Sequence, residues 1–383
     1  MAKSTEKKSI SIMEIIHIVL GKANPERMNG VNKVVYQLAT KQVDFALKVS
    51  VWGITKDKEN NYGKRNFETQ LFLKQRNPFG ISEELKMAII RKKDKAVFHL
   101  HGGWIPVFYS IAKLMHRYQI HYVLTPHGAY NTIAMRRSSW SKKFYFLLFE
   151  KKILNSTSKI HCIGKSEVNG LKKIFENKKS VLLPYGYEND KVTIIEKTAN
   201  PTIVFGFIGR LDIYTKGLDT LLKAFAKFTK NQPEAQLWIV GDSKEKIILE
   251  QQIKAKSLEK NIILFGSKFG VEKEALLQKM DVFVHPSRNE GLPLSVIEAA
   301  SFGKPCIVTD ATNIGSQIMN SNAGITIYSQ SSTQLYEAMQ KLFSVWENPI
   351  EFKELQENAI KMVSENYNWK KLIAQFNTDL YTI

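Results

Sequence analysis

Short runs of β-branched and aromatic residues alternate with helically spaced apolar segments along this chain, and few architectures accept such a pattern. Parallel strands need long crossover connections, usually helices, so repeated βα order implies parallel sheets covered by helices on both faces. Strands are expected at 13–19, 47–52, 97–101, 122–126 and 159–163, with helices at 31–41 and 142–154 among them. The pattern restarts with strands at 202–208, 237–240, 262–265, 282–285 and 305–309, separated by helices that include 218–228 and 296–302. A polar stretch at 188–201, with a Pro and several charges, interrupts it. The expected fold is therefore α/β, with two doubly wound domains, 1–190 and 191–368, facing a central cleft. A last helix within 369–383 is available to cross back onto the first domain. At 383 residues the length suits two domains of ordinary size.

Charge separates the two halves. Residues 1–190 hold 33 Lys and Arg against 15 Asp and Glu, a net +18, whereas the remainder holds 22 against 21. Such asymmetry suits an anionic partner of the first half: a membrane leaflet, a polyanionic substrate or nucleic acid. A merely basic proteome background is the plainer explanation, and the near-neutral second half weakens it. No helix-turn-helix, zinc-finger or RNA-binding pattern accompanies the basic residues, so no nucleic-acid partner is expected. The densest apolar cluster, 144–149, is far shorter than the roughly 20 residues that span a bilayer. The Lys- and Ser-rich start leads into a strand-like segment with Glu14 and His17 instead of a secretory core, so the expected location is cytoplasmic. Cys162 and Cys306 stand apart in apolar contexts and read as small buried hydrophobes in a reducing compartment.

Two segments of the second half carry chemistry. Residues 207–219 read FIGRLDIYTKGLD: a buried strand ends at Gly209, Arg210 and Lys216 follow on a loop, and Gly217 precedes a helix. A diphosphate asks for cations and for free N–H groups at a helix N-terminus, and this loop offers both. Asp212 is placed to pair with either cation. Residues 285–300 read HPSRNEGLPLSVIEAA, with Glu290 in a loop after a strand and Glu298 about two turns into the next helix. Their offset of eight residues suits one carboxylate for the hexose and one for the ribose of an extended ligand, with Ser295 near the phosphates. Either Glu alone would be an ordinary solvated or capping residue.

Together, Gly209-Arg210, Lys216-Gly217 and the Glu290–Glu298 segment resemble the retaining glycosyltransferases of family 4, over nearly the whole chain. The resemblance implies the GT-B fold, two Rossmann-like halves around a cleft. It implies a nucleoside diphosphate sugar as donor, with Arg210 and Lys216 on the diphosphate, Glu290 on the sugar hydroxyls and Glu298 on the ribose. Gly266 would lie by the base, and Gly291, Leu292 and Ser295 would complete the donor contacts. Asn29 and Gly30, opening a helix after the first strand, look like the family's glycine-rich loop, with Asn where the family often has a first glycine. His127 in TPHG looks like the family's active-site histidine, so His127, Glu290, Arg210 and Lys216 form the expected catalytic set. No cofactor is expected, the cations standing in for a divalent ion. His99 and His101 end a strand expected to face the cleft, but no Cys or carboxylate completes a metal set.

On the acceptor side, Arg136, Arg137, Trp140, Lys142, Lys143 and Phe144 open a basic segment in which Trp140, Phe144 and Leu148 recur at helical spacing. Such a segment suits anionic lipid headgroups, at about 1 kcal/mol per basic residue; a core helix with a solvated basic face is the alternative. In transferases of this kind the acceptor is frequently a glycan or a polyprenyl-diphosphate-linked sugar, which would place the protein at the inner face of the cytoplasmic membrane. A phosphorylase, an epimerase and an inactive polyanion- or nucleic-acid-binding scaffold are the competing readings. No lysine site for a pyridoxal cofactor marks the first, and the full Arg, Lys, Glu and Glu set argues against the last.

Overall fold

Residues 13–25, 30–131, 135, 139–187, 202–328 and 330–382 are described in a computed structural model of the chain. The first β-branched runs form β1 (Glu14–Leu20), β2 (Val49–Thr55), β3 (Glu68–Leu73), β4 (Ala96–His101), β5 (Tyr122–Thr125), β6 (Lys159–Cys162) and β7 (Ser180–Leu182). They pair in the order β3-β2-β1-β4-β5-β6-β7, and every pairing is parallel. The second set is β8 (Val204–Ile208), β9 (Gln236–Val240), β10 (Ile262–Gly266), β11 (Val282–His285), β12 (Cys306–Thr309) and β13 (Gly324–Ile327). Its order is β10-β9-β8-β11-β12-β13, again wholly parallel. Both sheets reverse direction of growth at one point, between β1 and β4 and between β8 and β11. Crevices at such switch points are where doubly wound sheets hold ligands.

Strands β3, β7 and β13 are not expected from the sequence, and all three lie at sheet edges. An edge strand is covered less than an inner one. Accordingly β3 mixes exposed and half-buried positions with buried ones, whereas β2 and β4 are buried at every residue and carry the apolar runs that announce them. Cys162 and Cys306 are both free and buried, as their surroundings suggest.

The expected 142–154 helix is present as Ser139–Tyr145 and Lys151–Ser156 joined by a π-helical turn, Phe146–Glu150. The turn accompanies the burial of Glu150, whose carboxylate accepts from Trp104 N–H and from Tyr130 Oη (2.9 Å). Burial pushes that carboxyl up to about 7 despite both bonds.

The final helix, Trp369–Phe376, packs on the first sheet although it follows the second in sequence. Trp369, Leu372, Ile373 and Phe376 are buried with Ile15, Val19, Val51, Val97 and Val123. Each such side chain contributes about 1.5–3 kcal/mol on burial, which ties the chain's end to its beginning. The turn beyond it carries Tyr381 into the interior, where its hydroxyl meets His99.

Candidate active site

On the second-sheet side, the loop after β8 is shaped by backbone constraints. Gly217 is left-handed (φ 69°), and a Cβ there would lie 2.1 Å from the Pro286 carbonyl oxygen, so only glycine can start the helix Leu218–Phe228 at this point. Asp212 accepts from Thr215 N–H (2.9 Å) and stands 3.8 Å from the Arg210 guanidinium. Arg288 locks the same region: it grips Asp219 with two nitrogens (2.6 and 2.9 Å) and donates to the Tyr214 carbonyl (2.6 Å).

Two ion pairs dominate the chemistry. The Lys216 ammonium contacts Glu290 Oε1, which also accepts from His285 Nε2 (2.8 Å). Burial alone would raise the Glu290 carboxyl, but Lys216 and His285 outweigh it and hold the group down at about 2. Across the site, Lys273 contacts Glu298 in the helix Leu294–Ser301. Glu298 lies little more than one turn into that helix, not the two expected, because the helix begins only after Pro293. Lys33, on the helix Gly30–Asp44 of the first half, faces the same pair; burial lowers its pKa and Glu298 partly restores it.

These groups surround a cavity of about 240 Å³ at the C-terminal ends of β8, β9 and β10. Of the residues expected to hold the donor, Gly30, Gly209, Lys216, Ser295 and Glu298 line it. Glu290 reaches it through Lys216, and Gly266 precedes the lining residues Ser267, Lys268 and Phe269. Arg210 is not among the lining residues, its side chain being 64% exposed, and Asn29 lies outside the described residues. Lys33, Lys273 and Gly241 belong to the site without being expected from the sequence. Lys33 follows Gly30 by three residues, which is a usable signal; Lys273 sits in an ordinary Lys- and Glu-rich helix and gives none. A Cβ on Gly241 would come within 1.9 Å of the Gly209 carbonyl oxygen, so the close approach expected at Gly209 is required at Gly241 as well.

The two halves meet beside this cavity. Gly291 and Gly128 are so close that a Cβ on Gly128 would lie 3.1 Å from Gly291 Cα, and Leu292 packs against one buried apolar cluster under each sheet. Asn313 bridges the seam: its amide donates to the Glu290 and Gly291 carbonyls (2.7 and 2.9 Å), and its oxygen accepts from Ser166 N–H (2.8 Å).

His127 follows β5 in the left-handed region (φ 54°), an unusual conformation for a non-glycine residue and one that clusters at functional sites. Its ring stacks on Tyr185 (5.8 Å between centroids), and its Nε2 is 3.1 Å from His101 Nδ1. Behind it lie His101, His17 and His99, all fully buried. The expectation that His99 and His101 face the cleft is corrected here: β4 is an inner strand, and the C-terminal segment covers it, placing Tyr381 Oη 2.8 Å from His99 Nδ1. His17 on β1, beside β4, joins them, and the three offer ligand atoms within 4.8 Å of one another. This trio has the donor set for a zinc-type ion. Every one of its six ring nitrogens already has a hydrogen-bond partner, however, so a cation would have to displace an existing network.

On the first half's surface, Trp140, Phe144 and Leu147 are more than 60% exposed. Lys143 stands 5.5 Å from the Trp140 ring centroid and Lys142 5.8 Å from that of Trp104. Arg136 and Arg137 fall outside the described residues. No helix among the described residues is long and apolar enough to cross a membrane.

Known proteins match this chain along its length. Residues 188–362 match the family described as glycosyl transferases group 1, and residues 28–194 match glycosyltransferase family 4. Among curated relatives, the uncharacterized glycosyltransferase MJ1069 of Methanocaldococcus jannaschii is 27% identical over 61% of this chain and 60% of its own length. The putative glycosyltransferase EpsF of Bacillus subtilis is 24% identical over 62% of this chain and 63% of its own, so each alignment spans less than two thirds of the relative. Among solved structures, a sucrose-phosphate synthase from Thermosynechococcus elongatus superposes with a TM-score of 0.76 at 18% identity, covering 96% of this chain and 98% of that one. Anabaena HepE in complex with UDP and glucose gives 0.74 at 15% identity, covering 97% and 100%. With two parallel sheets facing a charged cavity, and family matches that together run from residue 28 to residue 362, the chain belongs to glycosyltransferase family 4 and has the GT-B fold.

Proposed function

We propose that the protein transfers a hexose from a nucleoside diphosphate sugar to a hydroxyl of a glycan or polyprenyl-diphosphate-linked acceptor, with retention at the anomeric carbon. The observation that carries this reading is the cavity lined by Lys216, Lys273 and Glu298, in which Lys273 pairs with Glu298 and Lys216 is held by Glu290. In the bond change, the anomeric carbon–phosphate oxygen bond breaks as the acceptor oxygen bonds to the same face. The acceptor's proton passes to the departing phosphate oxygen, so no protein nucleophile is used. Lys216 and Arg210 offset the charge that grows on the diphosphate, assisted by amides of the helix that Gly217 starts. Glu290 and His127 position the sugar, and Glu298 takes the ribose. With these cations present, the reaction proceeds without a divalent metal or other cofactor.

The domain assignment belongs to the same reading: 1–190 takes the acceptor and 191–368 the donor, with a boundary that lies outside the described residues. Its setting is surface polysaccharide assembly in the cytoplasm, peripheral to the inner face of the membrane. Exposed Trp140 and Phe144 beside Lys142 and Lys143 support membrane docking, as does the +18 charge of residues 1–190. Two structural neighbours favour this class of donor and acceptor: HepE is solved in complex with UDP and glucose, and WaaB is a lipopolysaccharide outer core galactosyltransferase. The test is incubation with UDP-, GDP- and ADP-hexoses and a lipid-linked saccharide, with the product's anomeric configuration read by NMR. A new linkage of the donor's own configuration, formed equally in EDTA, is expected; inversion, or strict dependence on a divalent ion, would refute the mechanism.

A further inference from the structure

We propose that a chain of buried side chains running from the Leu183 carbonyl to His127 fixes a proton on His127 Nε2, leaving Nδ1 as a standing acceptor for a hydroxyl of the bound sugar. The role at the sugar rests on the transferase reading; the proton assignment does not.

Proton positions are unambiguous at a backbone carbonyl, which can only accept. His161 Nε2 lies 2.8 Å from the Leu183 oxygen, so the proton is on His161 Nε2 and Nδ1 is an acceptor. Thr125 Oγ1, 2.7 Å from that Nδ1, must spend its single proton there. It therefore accepts at 2.5 Å from His99, whose proton is on Nε2. His99 Nδ1 then accepts from Tyr381 Oη at 2.8 Å. Having used its proton, the tyrosine oxygen accepts from Gln42 Nε2 (3.3 Å), which settles the orientation of that amide. Gln42 Oε1 is left to accept from His17 Nε2 at 2.7 Å, so His17 Nδ1 accepts from His101 Nε2 at 2.9 Å. His101 Nδ1 finally accepts from His127 Nε2 at 3.1 Å.

A single inconsistent member would leave two donors or two acceptors face to face, and none does. The assignment holds for neutral rings, and burial supplies that condition by lowering the pKa of all five histidines. The four inner histidines are fully buried, whereas His127 is half-buried, so the chain's open end is the one at the cleft. A neutral imidazole with a fixed acceptor nitrogen can take a hydrogen bond from a sugar hydroxyl without bringing positive charge to compete for the diphosphate.

The experiment is ¹⁵N-histidine NMR on the full chain near neutral pH, where two-bond correlations identify which ring nitrogen carries the proton. Transfer kinetics and nucleoside diphosphate calorimetry accompany it. The wild type is expected to hold His127 wholly as the Nε2–H tautomer. Gln42→Leu, which removes the link between Tyr381 and His17, should give both tautomers and lower kcat by up to about tenfold with nucleotide affinity unchanged. Gln42→Glu keeps an acceptor facing His17 and should restore one tautomer. Tyr381→Phe, which deletes one hydroxyl, frees the Gln42 amide to turn and should also mix the tautomers if Gln42→Leu does not fold. A wild-type His127 protonated on Nδ1 or on both nitrogens would overturn the proposal, as would one unchanged tautomer in both folded variants. Absence of nucleotide binding by the wild type would instead refute the transferase reading, while the proton positions stand or fall on the NMR alone.

Discussion

The two faces of the cleft occupy equivalent places in their sheets and have opposite electrostatics. In the loops after β8 and β11 the largely covered groups are charged and paired, Lys216 with Glu290, as are Lys273 and Glu298 on the helices after β10 and β11. Within β1 and β4 and just after β5 they are neutral histidines joined to one another, of which His127 is the member open to the cleft. Both solutions satisfy buried polar groups, but they suit different ligands. Ion pairs can be opened by a ligand that carries charge of its own, such as a diphosphate. A neutral network receives a hydroxyl without a charge to desolvate.

The largest effect expected from breaking this contrast comes from Lys216→Ala. It should reduce kcat/KM by about two to three orders of magnitude, the range found when a group stabilising developing negative charge is removed. Steady-state kinetics with saturating acceptor would check this; a change below about fivefold would place the diphosphate elsewhere. Glu298→Gln should raise the donor KM by about tenfold with kcat little changed, since one hydrogen bond to a charged acceptor is weakened in ground and transition states alike.

Acid should separate the two faces by pH. His17 and His161 titrate at about 4 in the folded chain and His127 at about 3, against 6.5 when unfolded. The unfolded state therefore binds more protons below 6.5, and the first face loses stability as pH falls from 6.5 toward 4. Glu290, held at about 2 against an unfolded 4.5, contributes stability that is lost only as pH falls from 4.5 toward 2. Hydrogen exchange read by region should show β1, β4 and β5 opening in the upper window before β8 and β11 in the lower one; simultaneous opening would erase the distinction. The smallest effect is on soluble turnover by Trp140→Ser with Phe144→Ser, which should leave kcat on a water-soluble acceptor within about twofold. The same variant should bind vesicles containing anionic lipid several-fold more weakly in a flotation assay.

Legibility in the sequence follows the same division. The donor face is readable because its residues lie in two short segments, 207–219 and 285–300, in which glycines and charges have a fixed local order. The inner strands and the edge β10 are readable from their apolar runs, and the edges β3, β7 and β13 are not, because a half-covered strand need not carry such a run. The histidine network is opaque: its members come from β1, the helix Gly30–Asp44, β4, β5, β6 and the last helical turn, and His99 lies 282 residues from Tyr381. Only the pairing of β1 with β4 sets His17 opposite His99. Lys273 illustrates the same limit, its partner Glu298 being supplied by another helix.

Binding of a nucleoside diphosphate at the charged face is the central claim. Thermal unfolding of the wild type and of an Arg210→Ala, Lys216→Ala variant, each with millimolar UDP, GDP, ADP and CMP and their sugars, decides it. A rise in Tm with one nucleoside diphosphate, equivalent to about 2.7 kcal/mol at a hundredfold excess over Kd and abolished in the variant, is the predicted result. No shift with any nucleotide, in wild type and variant alike, would contradict it.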